Sequence, residues 1–292
     1  MPAAPSTVRR DPLDPRHLGA EQVERYLRRH GLAATKRFSQ NHLVDGEVLD
    51  AIVESAAPLG RSILEIGPGI GILTGALLAG GARQVIAVEV DRRLVAHLRE
   101  RFEHEGRLRL IEGDVLDLDP GTLVDPPFDL VANVPYHITS PVLHQALGEE
   151  PRPERFVLML QREVAERVAA PVGAMSYLSV FVQYHATVRI ERIVPAAAFE
   201  PAPEVDSAIV HGEVRRRRLD ADREAGLWRL VQAGFRERRK MLHNVLVRQL
   251  PAVGRERFEA AFTAVGIASD RRPQMLSVEE WLALADELGP LP

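Results

Sequence analysis

Short apolar runs alternate with amphipathic segments along the first three quarters of the chain. The apolar runs predict buried strands, since a helix would need a longer segment with apolar residues every three or four positions. The predicted strands are residues 62–66, 84–88, 108–111, 128–132 and 156–160. Helical spacing occurs at residues 45–57, 91–105 and 163–168, and two further helices are predicted to begin near residues 73 and 139. Strands that alternate with helices predict an α/β fold with a doubly wound, mostly parallel sheet.

The pattern changes toward the carboxyl terminus. Residues 174–184 predict a helix, and residues 187–193 and 207–214 predict two last strands that pair antiparallel. From about residue 218 apolar residues recur only at helical spacing, as at Trp228, Val231 and Phe235. We therefore expect a main domain at 19–216 and a small helical domain at 217–292. Residues 1–18 contain four prolines and little apolar content, which predicts a disordered tail.

The composition, 46% hydrophobic and 27% charged, is typical of a soluble globular protein. The absence of cysteine excludes disulfides, thiolate–metal sites and a cysteine nucleophile. No stretch approaches the roughly 18 apolar residues of a membrane-spanning helix. His42, His137 and His185 lack companion ligands at metal-binding spacing. Without a coiled-coil or apolar edge signal, we expect a cytoplasmic monomer with no metal ion and no membrane partner.

Charge is distributed unevenly along the chain. The net charge is −4, but residues 213–250 carry 11 basic and 5 acidic side chains, a net charge of +6. Such a local patch can bind phosphates although the total charge is negative. The candidate residues for binding nucleic-acid phosphates are Arg236, Arg238, Arg239 and Lys240. A second basic cluster comprises Arg25, Arg28, Arg29, Lys36 and Arg37. The alternative interpretation is that both clusters are solvated faces.

Three glycines and two acids indicate a nucleotide-like cofactor. Gly67, Gly69 and Gly71 follow the first predicted strand, where a backbone without Cβ atoms can turn tightly and approach a ligand. Glu89 ends the second strand and can accept both hydroxyls of a ribose, and Asp114 follows the third strand and can accept from an adenine amino group. This layout is that of class I S-adenosylmethionine methyltransferases. An NAD-type or other nucleotide enzyme is the alternative, whereas the lack of a following lysine disfavours a triphosphate loop.

A fourth strand leads into the residues Asn133-Val134-Pro135-Tyr136. The carboxyl edge of an open α/β sheet is where ligands bind. The Asn133 amide oxygen and the Pro135 carbonyl can each accept a hydrogen bond from a planar amine, and Tyr136 offers a face for stacking. Such a site suits methyl transfer to an aromatic amine by positioning. An ordinary strand-to-helix turn with a buried tyrosine is the alternative.

These motifs together resemble the ribosomal RNA adenine N6-dimethyltransferases, and most of all their bacterial KsgA (RsmA) type. The similarity runs from about Tyr26 to about Leu288. The further motifs that carry it are Gln40-Asn41-x-Leu43, Ile138-Thr139-Ser140-Pro141, Leu160-Gln161-Arg162-Glu163-Val164, Phe199-x-Pro201-x-Pro203-x-Val205-Asp206-Ser207-Ala208, Arg238-Arg239-Lys240 with Asn244, and Leu276-Ser277-Val278-Glu279-Glu280.

The resemblance implies a Rossmann-like methyltransferase domain with a seven-stranded sheet and a helical RNA-binding domain. It implies cofactor contacts from Asn41 and Leu43 on an amino-terminal lid, with Asn133 also beside the cofactor. It implies that Phe199 covers one face of the target base, although a core role for Phe199 is an equal alternative. The implied substrate is a pair of adjacent adenines near the 3′ end of 16S rRNA, dimethylated in the immature small ribosomal subunit during ribosome biogenesis.

Some positions depart from the KsgA type. Ser39 stands where glycine is usual, His42 where phenylalanine is usual, and His137 where asparagine is usual. Serine before Gln-Asn also occurs in the Erm-type 23S rRNA methyltransferases, which confer macrolide resistance, so that relative stays an alternative. A second alternative is a mainly non-catalytic ribosome-assembly factor or transcription cofactor. A third is glutamine or DNA-adenine methylation, which Val134 and the helical tail disfavour.

Overall fold

The structure is a computed structural model that describes Leu13 and residues 20–32 and 41–291. The predicted tail at residues 1–18, except Leu13, therefore lies outside the described residues. So do Lys36 and Arg37 of the second basic cluster, and Ser39 and Gln40 of the predicted lid. Within the described part of the chain, none of the helices combines the length and apolar character needed to cross a bilayer.

Helices and strands alternate through the first half of the chain, as the apolar pattern predicts. The helices are α1 (Ala20–Arg29), α2 (Gly46–Ala56), α3 (Ile72–Ala79), α4 (Arg92–Arg101), α5 (Pro120–Leu123), α6 (Thr139–Gly148), α7 (Arg162–Val168), α8 (Tyr177–His185), α9 (Ala221–Phe235), α10 (Leu242–Gln249), α11 (Arg255–Ala264) and α12 (Val278–Leu288). The strands are β1 (His42–Leu43), β2 (Ser62–Ile66), β3 (Gln84–Glu89), β4 (Leu108–Glu112), β5 (Asp129–Asn133), β6 (Arg155–Gln161), β7 (Ala186–Val194), β8 (Phe199–Glu200) and β9 (Ser207–Val214).

A seven-stranded sheet has the order β4-β3-β2-β5-β6-β9-β7. The pairs β3–β4, β2–β3, β2–β5 and β5–β6 are parallel. This sheet confirms the predicted Rossmann-like α/β class. The order reverses at β2, since β3 lies on one side of β2 and β5 on the other. Such a switch in strand order leaves a crevice at the carboxyl ends of the strands.

Capping residues explain several element boundaries. Asp45 accepts a hydrogen bond from the Val48 N–H at 3.1 Å, so α2 begins where its sequence predicts. Asp91 caps α4 in the same way. The helix predicted over 91–105 nevertheless ends at Arg101. The Glu105 carboxylate accepts from the Arg107 N–H at 3.1 Å and from its guanidinium at 2.9 Å, and this turn leads into β4 instead.

A short pairing that the hydrophobic pattern does not predict joins the residues directly after Asn41 to a distant part of the chain. Strand β1 pairs antiparallel with β8, with His42 opposite Glu200 and Leu43 opposite Phe199. Each strand has only two residues, too few to give an alternating pattern. The pairing brings His42 and Leu43 into the protein interior, where the exposed fractions of the two residues are 6% and 5%.

The described chain forms two compact units. The first comprises Met1–Arg162 with Ile190–His211, and the second comprises Glu163–Arg189 with Gly212–Pro292. In the first unit, the apolar faces of α2, α3 and α4 and the central strands form one core, which includes Val48, Leu77 and Val131. These units differ from the predicted ranges 19–216 and 217–292, because 163–189 belongs with the helical part. A separate RNA-binding role for the helical domain stays a prediction.

The second unit is organised around Trp281. This indole is fully buried and belongs to the cluster formed by α8, α9, α10, α11 and α12. Gly234 on α9 makes room for it, since a Cβ atom at residue 234 would lie 2.6 Å from the ring. Ser277 and Glu280 form a capping box at the start of α12 and so fix the helix that carries Trp281.

A buried carboxylate joins three elements of the first unit. Asp129, at the start of β5, accepts hydrogen bonds from the Arg61 guanidinium at 2.6 and 2.9 Å and from Arg155 at 2.6 Å. Arg61 also donates to Glu154 at 2.6 Å. The Asp129 side chain is 3% exposed, whereas that of Glu154 is 53% exposed. The two ion pairs thus share one arginine and differ mainly in their exposure to solvent.

We predict that Asp129→Ala lowers the free energy of unfolding by about 2–4 kcal/mol, because it leaves two guanidinium groups without their buried partner. The matched control Glu154→Ala removes the exposed partner of the same arginine and should cost less than about 1 kcal/mol. Urea unfolding at pH 7 measures both values. Equal costs for the two variants would contradict the assignment of Asp129 as the stabilising partner.

Candidate active site

Four strand ends lie side by side along one edge of the sheet. β4, β3, β2 and β5 are successive neighbours and run parallel, so their carboxyl ends share this edge. In the same order, the edge carries Asp114, Glu89, Gly67 and Asn133. Residues far apart in the sequence are thereby gathered where doubly wound folds bind their ligands.

A cavity opens at this edge, with an empty volume of about 1040 Å³ that extends into solvent. The predicted site residues that line it are Asn41, Gly67, Gly69, Glu89, Asp114, Asn133, Pro135 and Tyr136. Further lining residues, which the sequence did not single out as ligand contacts, are His42, Val90, Val115, His137 and Ile138. Most of these directly follow a strand or a predicted contact, and this position is the signal that could have identified them.

A smaller cavity, with an empty volume of about 430 Å³, shares five residues with the first. The shared residues are Asn41, His42, Gly67, Gly69 and Asn133. The predicted contact Leu43 lines only this second cavity, together with the buried Glu65. The site is therefore a main cleft with a side cavity next to the glycine loop.

Two glycines of the loop have different roles. Gly69 has φ +61°, and a Cβ atom there would lie 3.5 Å from His42 Nδ1, so glycine keeps open the space in front of that ring. Gly71 has φ +83°, and its Cβ would lie 2.7 Å from Leu98 and from Phe102 on or next to α4. Gly71 thus permits close helix packing and does not line either cavity. Its predicted cofactor contact stays a prediction.

The Glu89 carboxylate fixes the glycine loop to the end of β3. Its Oε2 accepts from the Gly69 N–H at 3.1 Å, and its Oε1 accepts from the Asp91 N–H at 2.9 Å. Burial raises the pKa of Glu89, although these two hydrogen bonds act in the opposite direction. A carboxylate oxygen can accept more than one hydrogen bond, so Glu89 retains acceptor capacity for the hydroxyls of a ribose.

Asp114 lies at the outer end of the cleft, after β4. Its Oδ1 accepts from the Leu116 N–H at 3.0 Å and so caps the turn at Val115–Asp117. The side chain is exposed and lines the cavity beside the buried Val115. A carboxylate acceptor next to an apolar wall suits the amino edge and the face of an adenine.

The Asn133 amide has a fixed orientation. Its Nδ2 donates to the Asn41 carbonyl oxygen at 3.3 Å, and only the amino end of the amide can make this bond because a carbonyl accepts. The amide oxygen is thereby the acceptor that Asn133 offers. The predicted lid residue Asn41 and the predicted catalytic residue Asn133 are thus connected directly.

Pro135 and Tyr136 complete the wall next to Asn133. The Pro135 carbonyl accepts from the Ile138 N–H at 3.1 Å and retains a second lone pair. The Tyr136 hydroxyl lies 2.8 Å from Ser207 Oγ, which fixes the ring, and burial raises the pKa of that hydroxyl. A half-buried tyrosine with its polar end held presents one face for stacking.

Phe199 is placed differently from the other predicted catalytic residues. It is 2% exposed, belongs to the core of the first unit, and contributes to neither cavity. The structure therefore brings Asn133, Pro135 and Tyr136 together and leaves Phe199 in the core, opposite Leu43 in the β1–β8 pair. Its predicted contact with the base stays a prediction.

Two buried titratable groups, Glu65 and His42, line the side cavity. Burial raises the pKa of Glu65 to about 8, against a hydrogen bond that its Oε2 accepts from Thr74 Oγ1 at 2.7 Å. Burial lowers the pKa of His42 to about 4, so its ring is neutral at pH 7. The Nε2 atom of His42 has no hydrogen-bond partner within the described part of the chain.

The candidate RNA-binding residues lie in the second unit, directly after α9. Arg236, Arg238, Arg239 and Lys240 are all exposed. Arg238 also donates to the Ala174 carbonyl at 3.2 Å. The intervening Glu237 pairs with Arg248 at 2.8 Å, so this acid is partly neutralised by another cation. The exposed turn therefore presents a net positive charge to solvent.

The fold and site define a class I S-adenosylmethionine methyltransferase, and sequence comparison specifies the family. The model of the ribosomal RNA adenine dimethylase family matches residues 31–289. The chain belongs to this family, and S-adenosylmethionine is accordingly its methyl donor.

Relatives named ribosomal RNA small subunit methyltransferase A are similar over nearly the whole chain. The one from Anaeromyxobacter sp. (strain K) is 43% identical over 277 residues, which cover 90% of this chain and 96% of that protein. The one from Gloeobacter violaceus is 43% identical over 263 residues, with 87% and 93% covered.

Two solved structures share the fold. The 23S rRNA methyltransferase ErmE is 31% identical with a TM-score of 0.69, and the comparison covers 85% of this chain and 99% of ErmE. A dimethyladenosine transferase from Plasmodium falciparum is 27% identical with a TM-score of 0.68, with 83% and 95% covered. The share of this chain that each comparison covers is larger than the share of its residues that belong to the first unit. Both similarities therefore include residues of the helical second unit.

The buried Glu65 generates a prediction about pH. In the native state the Glu65 carboxyl group has a pKa of about 8, whereas in the unfolded chain its pKa is near 4.5. Between these two values the native state binds more protons than the unfolded state, so the free energy of unfolding falls as the pH rises. Glu65→Gln keeps an acceptor for Thr74 and cannot lose the proton. Between pH 5 and pH 8, we expect the variant to gain roughly 2–4 kcal/mol of unfolding free energy relative to wild type.

Urea unfolding without cofactor at both pH values measures this difference. The exposed residue Glu47 provides the matched control, since Glu47→Gln should follow the pH dependence of wild type. If Glu65→Gln also followed wild type, the account of a protonated buried carboxyl group would be wrong.

Proposed function

We propose that this protein dimethylates N6 of two adjacent adenines near the 3′ end of 16S rRNA, in the immature small ribosomal subunit. The observation that carries the proposal is the direct succession of Asp114, Glu89, the glycine loop and Asn133 along one sheet edge. This arrangement suits a cofactor whose reactive end lies beside Asn133, which can accept a hydrogen bond from the amine of the substrate. The small-subunit relatives support the choice of rRNA. We infer that the protein acts as a cytoplasmic monomer.

The chemistry requires positioning more than proton transfer. When bound, S-adenosylmethionine supplies a methyl group on a sulfonium whose leaving group is neutral. The oriented Asn133 amide oxygen and the second lone pair of the Pro135 carbonyl each accept one N6–H of the target adenine. In the first of the two transfers, these bonds turn the amine from planar toward tetrahedral and aim its lone pair into the cleft, which is catalysis by orientation and preorganised hydrogen bonds. The nitrogen becomes cationic as it gains the methyl group and then loses one N6 proton to solvent.

Tyr136 holds the extruded base. Because Ser207 anchors the hydroxyl, the ring is fixed before the base arrives and loses little freedom on stacking. Enzymes that modify a base take it out of its stack and read it in this way. A contact from Phe199 to the other face requires that side chain to leave the core, so Tyr136 carries the stacking in our proposal.

The similarity to ErmE supports a second candidate, methylation of adenine in 23S rRNA. Labelled methyl transfer to immature small subunits and to naked 23S rRNA, with the product mapped by primer extension, separates the two. We expect N6,N6-dimethyladenine on the small subunit alone. Label on 23S rRNA alone would favour the second candidate, and cofactor binding without label on either would favour a non-catalytic assembly factor.

We predict that Asn133→Ala abolishes methyl transfer, because it removes one of the two N6–H acceptors. Cofactor affinity should change less than about fivefold, since the lost Asn41 hydrogen bond is worth only about 1 kcal/mol or less. Calorimetric titration with S-adenosylhomocysteine and a single-turnover assay measure the two effects. Glu89→Ala is the comparison variant and should lose affinity strongly. A parallel loss of affinity and transfer in Asn133→Ala would contradict its assigned role.

The basic turn after α9 generates a prediction about RNA affinity. Combined charge reversal at Arg236, Arg238 and Arg239 should weaken binding to small-subunit RNA and flatten its dependence on salt, because fewer counterions are released. As single variants, Arg239→Glu should weaken binding more than Arg255→Glu, an exposed arginine elsewhere in the same unit. Filter binding between about 50 and 200 mM salt measures the slopes. An unchanged slope would make the turn a solvated face.

A further inference from the structure

His42 is a buried imidazole at the point where the main cleft and the side cavity meet. It lines both cavities and is 6% exposed. Its Nε2 has no hydrogen-bond partner among the described residues. A buried nitrogen without a partner is tolerated better as a bare acceptor than as an N–H, so this observation indicates which tautomer the ring adopts.

The position of the ring identifies the nitrogen that faces the cavities. The Nδ1 edge lies toward Gly69, since a Cβ atom there would be 3.5 Å from Nδ1 and 3.6 Å from Cε1. A neutral imidazole carries one N–H and one bare nitrogen. An unpaired buried N–H is rarer in proteins than an unpaired acceptor. The proton therefore belongs on Nδ1, which faces the open space, and the bare nitrogen is the buried Nε2.

The order of groups along the sheet edge indicates what reaches this ring. With adenine at Asp114 and ribose at Glu89, the remaining part of S-adenosylmethionine extends toward the next strand end, at β2. His42 and Gly69 lie there. That remaining part carries an α-ammonium and an α-carboxylate. The side cavity also contains Glu65, whose carboxyl group suits the ammonium and leaves the carboxylate for a donor.

We propose that Nδ1–H of His42 donates a hydrogen bond to the α-carboxylate of S-adenosylmethionine and thereby positions the amino-acid part of the cofactor. The inference rests on the proposed function, because it takes the ribose to be at Glu89. It makes His42 a positioning residue, since the ring does not reach the transferred methyl group in this arrangement. Gly69 is required beside it, because any side chain there would fill the space between ring and ligand.

The test compares three ligands that differ in this part of the cofactor; decarboxylated S-adenosylmethionine also keeps the methylsulfonium, so each ligand is compared between the variant and wild type. S-adenosylhomocysteine has both the ammonium and the carboxylate, decarboxylated S-adenosylmethionine lacks the carboxylate, and 5′-methylthioadenosine lacks the amino-acid part. His42→Phe keeps an aromatic ring, of somewhat larger size, and removes the donor. We expect it to weaken S-adenosylhomocysteine roughly tenfold or more, as for a hydrogen bond to a charged group. The other two ligands should change less than about twofold.

Two further variants test the assigned nitrogen. His42→Asn places an amide N–H near the former Nδ1 and should recover most of the affinity for S-adenosylhomocysteine. His42→Gln places its amide near Nε2 and should not. Recovery with glutamine alone would overturn the assignment to Nδ1. Thermal unfolding of each variant without ligand, and Asp114→Ala as a control that should weaken all three ligands, separate a local contact from a general loss of structure.

The three ligands distinguish a failure of the carboxylate contact from a failure of the proposed function. Equal weakening of all three ligands in His42→Phe, or no weakening of any, would overturn the carboxylate contact while leaving the proposed function intact. A wild-type protein that bound none of the three ligands would instead contradict the proposed function. Selective loss for S-adenosylhomocysteine supports the inference, whatever the methyl-transfer activity.

Discussion

The parallel alignment of β2 with β3 and β5 is the constraint on which the site depends. Because parallel strands end at the same edge, three turns that are distant in the sequence become neighbours there. The Glu89 carboxylate then fixes one turn to another, since its two oxygens accept from Gly69 and Asp91. The Nδ2 of Asn133 adds Asn41, the predicted lid residue, to the same assembly. Without this register, none of these side chains would share a cavity.

The carboxyl groups near this edge of the sheet differ in their exposure to solvent. Asp114 is exposed at the outer end of the cleft, Glu89 is buried at β3, and Glu65 lies inside the sheet with a pKa raised to about 8 by burial. A cofactor bound along this edge would therefore meet an exposed acid at one end and buried carboxyl groups further in. The polar groups on the β5 side, the amide of Asn133 and the carbonyl of Pro135, are neutral. This suits a reaction that needs orientation and no proton acceptor of high basicity.

Much of this arrangement could be predicted from the sequence because it depends on local patterns. Strand ends followed by Gly67, Glu89, Asp114 and Asn133 identify one edge, since parallel connectivity fixes where those ends lie. The β1–β8 pair could not be predicted, because two-residue strands carry no period and pair across more than 150 positions. For the same reason, the burial of Phe199 and the His42 Nε2 atom, which has no hydrogen-bond partner among the described residues, appear only in three dimensions. Gly71 belongs to the motif in sequence but packs against α4 in space.

The most direct measurement of the central claim is a crystal structure of the protein with S-adenosylhomocysteine. The account predicts the adenine amino group at Asp114, the ribose hydroxyls at Glu89, and the sulfur between the glycine loop and Asn133. A cofactor that bound in the opposite direction, with its ribose away from Glu89 or its sulfur away from Asn133, would contradict the account.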